Sequence, residues 1–209
     1  SRDDERLGRR ASLAIEQRNR AYERAMRIEF NRLRIIVLDD NAFMRRLIRG
    51  LLFGFGVREV YEAEDGASGL DSVLAYKPDI LIADWEMPIL DGIEVTRLIR
   101  QQDTSANPFL PIILVTGYSE KARVIQARDA GVNEFLVKPI SAKRLYDRIV
   151  SVVAYPRPFI RTRNYFGPDR RRFLTENFSG RERRRETAVP VDQAALLAKT
   201  AALVNKESG

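Results

Sequence analysis

A doubly wound α/β sheet is the fold this sequence predicts, and three observations predict it. Short apolar runs rich in Ile, Val and Leu recur between residues 33 and 154. Four of these runs end on polar residues: Asp39 and Asp40, Asp84, Thr116, and Lys138. The segments between the runs carry apolar residues at helical spacing and are punctuated by Gly, Pro, Ser and Asp. Strands that alternate with helices must pair in parallel, with the helices covering the sheet.

The elements follow in order. Leu33 to Leu38 reads as the first strand and ends in Asp39-Asp40-Asn41. Ala42 to Phe53 reads as a helix with Phe43, Leu47, Ile48 and Leu51 on one face. Gly50, Gly54 and Gly56 lack the Lys-Ser/Thr of a phosphate loop and stand at a helix exit, so they mark a turn. Val57 to Ala63 is a short second strand, and Gly66 to Tyr76 a helix broken by Lys77-Pro78-Asp79. The third strand, Ile80 to Ala83, is apolar throughout and delivers Asp84 at its end. Pro88 and Asp91-Gly92 force a loop before a helix from Gly92 to about Gln102. A loop with Pro108 and Pro111 leads into the fourth strand, Ile112 to Val115, which ends at Thr116-Gly117. Ser119 is expected to cap a helix to Ala130. Asn133 to Val137 is the fifth strand, ending at Lys138-Pro139, and Ser141 caps a last helix to about Ala154. Five strands and five helices in this arrangement imply the flavodoxin-like (βα)5 sheet, order 2-1-3-4-5.

Flanks surround this unit, which gives expected boundaries at 1–33, 34–154 and 155–209. Residues 5 to 34 read as one N-terminal helix, with Tyr22, Met26, Phe30 and Leu33 at helical spacing. Such a helix can form a homodimer or lie on the domain. After Tyr155 the apolar periodicity stops, and prolines and arginines predict an irregular Arg-rich tail, with a short helix from Gln193 to Val204. The formal net charge is +7, distributed unevenly. Residues 1–34 hold ten basic against six acidic side chains, residues 35–154 fourteen against seventeen, and residues 155–209 twelve against six. Basic flanks on an acidic body suit an anionic partner: nucleic acid, nucleotide, membrane surface or acidic protein.

Composition excludes several chemistries. There is no Cys and no His, so no disulfide framework, thiolate metal site or Ser-His-Asp triad, and the chain cannot itself supply a phosphohistidine. No apolar run approaches the roughly 18 residues of a membrane span, and no secretory signal is visible. A cytoplasmic protein is the expectation.

In a 2-1-3-4-5 sheet, strands one, three, four and five are neighbours, so their polar ends open on one edge. Asp39, Asp40 and Asp84 there repel one another and invite a hard cation; oxygen ligands without His or Cys suit Mg²⁺. Lys138 and the Thr116 hydroxyl beside it can hold phosphoryl oxygens, and the Asp84 carboxylate can attack phosphorus to give an aspartyl phosphate.

Residues 34–154 resemble the receiver domain of two-component response regulators, of the CheY-like kind. The resemblance is carried by Ile36-Val37-Leu38-Asp39-Asp40-Asn41, Asp84-Trp85-Glu86-Met87-Pro88 with Asp91-Gly92, Val115-Thr116-Gly117 and Lys138-Pro139. It implies that Asp84 is the phosphoacceptor for a histidine kinase or phosphotransfer protein. It also implies that Asp40, Asp84 and the Glu86 carbonyl bind Mg²⁺, with Asp39 acting through water. Lys138 and Thr116 would contact the phosphoryl group, Phe135 would stand at the switch position, and Pro139 would follow a cis bond. No enzyme activity is implied beyond promoting the domain's own phosphorylation and dephosphorylation. Glu86 and Tyr118, each two residues past a motif residue, are expected to crowd the hydrolytic water and lengthen the phosphoryl lifetime.

The 55 residues after 154 are too few and too polar for a winged-helix or helix-turn-helix output, so DNA binding through such a domain is not expected. Within them Gly167-Pro168-Asp169-Arg170-Arg171-Arg172 is echoed by Gly180-Arg181-Glu182-Arg183-Arg184-Arg185. Arg can take guanine O6 and N7 or a phosphate in its planar fork, and an acid can accept from the guanine N1 and N2 edge. The tail resembles the Arg-rich extension of CheY-like cyclic di-GMP effectors, which implies a nucleotide ligand and a protein target such as a flagellar motor component. The alternatives are that the flanks bind nucleic acid or an acidic protein, or that the tail is simply solvated.

Overall fold

The computed structural model describes residues 28–101, 105–170 and 189–190. Most of the expected N-terminal helix, the homodimer contact assigned to it, the 193–204 helix, and Arg171, Arg172, Glu182, Arg183, Arg184 and Arg185 lie outside these residues.

Five parallel strands form the central sheet: β1 (Arg34–Leu38), β2 (Glu59–Ala63), β3 (Ile80–Asp84), β4 (Ile112–Thr116) and β5 (Glu134–Val137). Their order is β2-β1-β3-β4-β5, as the strand–helix alternation predicts. The helices between and after them are α1 (Ala42–Gly54), α2 (Gly66–Tyr76), α3 (Gly92–Arg100), α4 (Lys121–Ala130) and α5 (Ala142–Ala154). Side chains alternate across each strand, so the sheet has two apolar faces and two cores. Ile35, Val37, Ile82, Ile113 and Val115 pack with Ile48 and Leu52 of α1 and with Leu145 and Ile149 of α5. Ile36, Leu38, Leu81, Leu114 and Ile112 pack on the other face with Val73 of α2, Ile93 and Ile99 of α3, and Ala127 of α4.

Local chemistry sets the helix starts. Asn41 accepts from the Phe43 and Met44 amides. Asp65 and Asp91 each form a reciprocal capping box, with Ser68 and Glu94 respectively. Ser141 accepts from the Arg144 amide. The expected Ser119 cap is not used: α4 starts at Lys121 after Glu120, which makes no side-chain capping bond. The apolar stripe of α1 also differs. Phe43 is 64% exposed and Leu47 is exposed, while Ile48 and Leu52 are the buried pair.

Two corrections concern the flanks. Over residues 28–34 the expected helix is absent: Phe30–Arg32 is a single 3-10 turn, and Leu33 is already extended as it enters β1. The reason is tertiary, since Ile28 and Leu33 are buried in the core and Phe30 stacks on Tyr146. Nor is the chain after 155 irregular throughout. β6 (Phe159–Thr162) and β7 (Tyr165–Pro168) form an antiparallel hairpin, and β8 (Val189–Pro190) joins β6 on its other side. Phe159 is fully buried between Phe109 and Phe166, and its ring lies 5.1 Å from the Arg100 guanidinium. Sparse apolar residues sufficed here because the hairpin buries its aromatics against the receiving body and needs no core of its own.

Candidate functional site

Strand register brings the polar ends together. Leu38 pairs with Ala83, Asp84 with Val115, and Thr116 with Val137. Asp39, Asp84, Thr116 and Lys138 therefore succeed one another along the C-terminal edge of the sheet. Gly92 completes the turn under the site: a Cβ there would collide with the Asp84 carbonyl oxygen. The Lys138-Pro139 bond is cis, and the Lys138 amide donates to the Thr116 carbonyl at 2.8 Å.

Asp39, Asp40 and Asp84 each offer a carboxylate oxygen within 4.8 Å of the others. Asp39 and Asp84 are buried, whereas Asp40 is exposed. The Lys138 Nζ lies 2.9 Å from Asp84 Oδ1 and 3.9 Å from Asp39 Oδ2. Asp39 Oδ1 accepts from the Asn41 amide at 2.8 Å, while Asp39 Oδ2 is buried with no hydrogen-bond donor. Asp84 Oδ1 has the ion pair with Lys138 but no well-aligned donor. Burial pushes the Asp84 carboxyl up to about 6, opposed by the Lys138 contact and reinforced by Asp39. Asp39 is raised as well, again by burial first, with the Asn41 amide and Lys138 opposing. Two buried carboxylates with under-satisfied oxygens and an all-oxygen donor set fit a hard divalent cation such as Mg²⁺. A cation there would remove the cost of keeping both ionised.

Residues 35–150, more than half of the chain, match the family model described as the response regulator receiver domain. The chain belongs to that family. It is 34% identical over 120 residues to the chemotaxis protein CheY of Pseudomonas aeruginosa, covering 57% of this chain and 95% of that protein. Among solved structures, chemotaxis protein CheY4 of Vibrio cholerae matches with a TM-score of 0.52 and 26% identity over 56% of this chain and 95% of its own. The receiver domain of a sensor histidine kinase from P. aeruginosa, solved with a magnesium ion coordinated in its active-site cleft, matches with a TM-score of 0.50 and 29% identity over 57% of this chain and 94% of its own.

In this receiver, Thr116 is buried and its hydroxyl accepts from the Tyr118 amide at 3.0 Å. Phe135 is half-buried on β5 against the second core and has no hydroxyl with which to bond. The Glu86 side chain is exposed, with Oε2 reaching toward Gly117. Two arginines absent from the motif reading stand beside the site. Arg45 donates to the carbonyls of Asp39 and Asp40. Arg123 lies between the rings of Trp85 and Tyr118, 4.9 and 4.7 Å from their centres. The legible signal for Arg45 was its spacing, one helical turn past the Asn41 cap; Arg123 had none.

The tail residues within reach of description are not gathered at this edge. Asp169 is buried, its amide donating to the Pro158 carbonyl at 2.7 Å and its carbonyl accepting from Arg157 at 3.3 Å. Arg170 pairs with Asp129 at 3.1 Å and lies 3.8 Å above the Tyr165 ring. Arg170 and Arg157 line a groove of about 300 Å³ between α4 and β5, with Arg128, Val124 and Phe135. Among the described residues no helix is long and apolar enough to cross a membrane.

Proposed function

We propose that this receiver is a phosphorylated signalling switch: Asp84 takes a phosphoryl group from a histidine kinase or phosphotransfer protein, and a second protein reads the changed surface. The observation that carries this reading is the convergence of three carboxylates with the Lys138 ammonium 2.9 Å from Asp84. Asp39, Asp40, Asp84 and the Glu86 carbonyl would hold Mg²⁺, which neutralises charge on the carboxylates and the transferring phosphoryl group. An Asp84 carboxylate oxygen forms the new bond to phosphorus as the bond to the donor's imidazole nitrogen breaks, its electron pair leaving with the imidazole. Lys138 exchanges its pairing with Asp84 for a phosphoryl oxygen. The Thr116 hydroxyl turns from the Tyr118 amide to donate to another. The donor histidine belongs to the partner, since this chain has none.

Residues 34–154 are the switching unit, and the flanks 1–33 and 155–209 give it its specificity. The Arg-rich tail binds cyclic di-GMP in this reading, supported by the repeated Gly-x-acid-Arg-Arg-Arg unit. The burial of Asp169 makes it a brace for the hairpin more readily than an acceptor for a base edge.

With Mg²⁺ and acetyl phosphate, intact mass should show one added phosphoryl group on the wild type and none on Asp84→Asn. Labelling of the variant at the wild-type level overturns the assignment. Lys138→Ala should keep Mg²⁺ binding and lose the response to phosphorylation. For the tail, calorimetry at fixed salt should show preference for cyclic di-GMP over a mixed-sequence oligonucleotide. Uptake of the oligonucleotide with steep salt dependence, and none of the dinucleotide, moves the flanks to nucleic-acid binding.

A further inference from the structure

The loop carrying Asp39 and Asp40 is gripped from behind by a side chain outside the carboxylate cluster. Arg45, in the first turn of α1, donates from Nη1 to the Asp39 carbonyl at 2.7 Å and to the Asp40 carbonyl at 3.3 Å. Its Nε bonds Glu62 Oε2 at 3.3 Å, and its Nη2 faces Glu64 at 3.9 Å, so the same guanidinium ties the loop to the end of β2. Glu62 is itself held from the other oxygen by Arg49 at 3.3 Å. The Arg45 side chain is only 14% exposed.

We propose that Arg45 is a positioning residue for the cation site: by holding two successive carbonyls it sets the peptide planes on both sides of Asp40 and aims the Asp39 and Asp40 carboxylates at Asp84. The inference rests on the proposed use of these carboxylates as Mg²⁺ ligands. Its physical basis is that three like charges within a few ångströms push the loop outward whenever no cation is bound. A rigid fork with five donors can hold two carbonyls and a carboxylate at once; an ammonium on a flexible stem reaches one or two of them at a time. The Asn41 amide bond to Asp39 Oδ1 is the local half of the same restraint.

The test uses the full chain and MgCl₂ as the probe. Trp85 follows Asp84 directly and is the single tryptophan, so its fluorescence reports ion binding. Arg45→Lys, which keeps the charge, and Arg45→Ala should each bind Mg²⁺ about tenfold more weakly than wild type. Ion-free hydrogen exchange at the Asn41 amide should speed up in both, which a merely stabilising residue at a distance would not produce. Phosphoryl labelling from acetyl phosphate should recover toward the wild-type rate at saturating Mg²⁺, because Arg45 contacts no reacting atom. Glu62→Gln with Glu64→Gln loosens Arg45 without removing it, and should give a smaller shift in the same direction even if Arg45→Ala fails to fold. Mg²⁺ affinity in folded Arg45→Lys within twofold of wild type, with unchanged exchange at Asn41, overturns the inference while leaving the phosphorylation reading intact. A wild type that binds no Mg²⁺ overturns both.

Discussion

The two ends of the central sheet bury charge in opposite ways. At the C-terminal end Asp39 and Asp84 are buried, yet Asp39 Oδ2 has no donor and Asp84 Oδ1 only an ion pair with Lys138. At the N-terminal end Arg100 is as deeply buried, but each guanidinium nitrogen is used. Nε donates to the Gly131 carbonyl, Nη1 to the Pro108 carbonyl and Nη2 to Asn133 Oδ1, all at 2.9 to 3.0 Å, with Phe159 on the planar face. The first arrangement leaves capacity for an incoming ion and phosphoryl group. The second consumes its capacity in joining α3, the loop before β4, the start of β5 and the hairpin. Burial of a charge thus marks a reactive site only where its partners are missing.

The largest expected effect on this contrast comes from Arg100→Ala, which takes a charged donor from the buried Gly131 carbonyl, from the half-buried Pro108 carbonyl and from Asn133 Oδ1, which keeps only the Ile112 amide, and should cost about 3–5 kcal/mol of folding stability. Urea unfolding measures it, and limited proteolysis should show the hairpin cut first. A loss under about 1 kcal/mol would make the network incidental. Burial pushes Arg100 down to about 9, so it stays protonated near neutral pH and this contribution should be flat there.

Asp84→Asn should move stability the other way. Burial pushes the folded-state carboxyl up to about 6 from an ordinary 3.8, so between these values the folded chain keeps a proton the unfolded chain has released. Stability therefore falls as pH rises through that window, by up to about 3 kcal/mol. Without Mg²⁺, the asparagine variant should be more stable than wild type by about 1–3 kcal/mol at pH near 7, a gain that shrinks toward zero by about pH 4. Added Mg²⁺ should narrow the difference by stabilising the wild type. A variant less stable than wild type at neutral pH would mean that the Lys138 ion pair outweighs burial.

The smallest effect concerns phosphoryl lifetime. Glu86 reaches over Gly117, and Tyr118 is held by Arg123. Replacing both Glu86 and Tyr118 with Ala should open the approach of water and speed loss of the phosphoryl group several-fold, about 1 kcal/mol in barrier. Unchanged or slower decay, followed by mass spectrometry after donor removal, would free these two side chains of that role.

The sheet order and the carboxylate–lysine edge were legible because they follow from local rules. A period of two or near four in apolar residues, a cap or breaker at each boundary, and the right-handed parallel crossover leave few ways to arrange five such units. Asp39, Asp84, Thr116 and Lys138 then fall on one edge without any knowledge of packing. Other features depended on partners distant in sequence. Phe30 has helical spacing, yet its ring is taken by Tyr146 and the backbone turns to suit. Phe43 and Leu47 share an apolar stripe with Ile48, but the crossing of α1 over the sheet buries Ile48 and Leu52 instead.

The sequence alone determined which chemistry the edge can carry, because residue type decides ligand hardness, charge and nucleophilicity wherever the chain folds. Only the tertiary structure decided how that chemistry is held. Arg45 is an ordinary helix-surface arginine until β2 brings Glu62 to it, and Arg100 an ordinary helix-end cation until Gly131 and Asn133 surround it. The hairpin belongs to the same class: Phe159 and Phe166 are too few to make a core, and become structural only through the aromatic and cationic surface that α3 and the loop before β4 present to them. Local periodicity carries no information about such long-range pairing, since its free energy is gained only when the distant partner arrives.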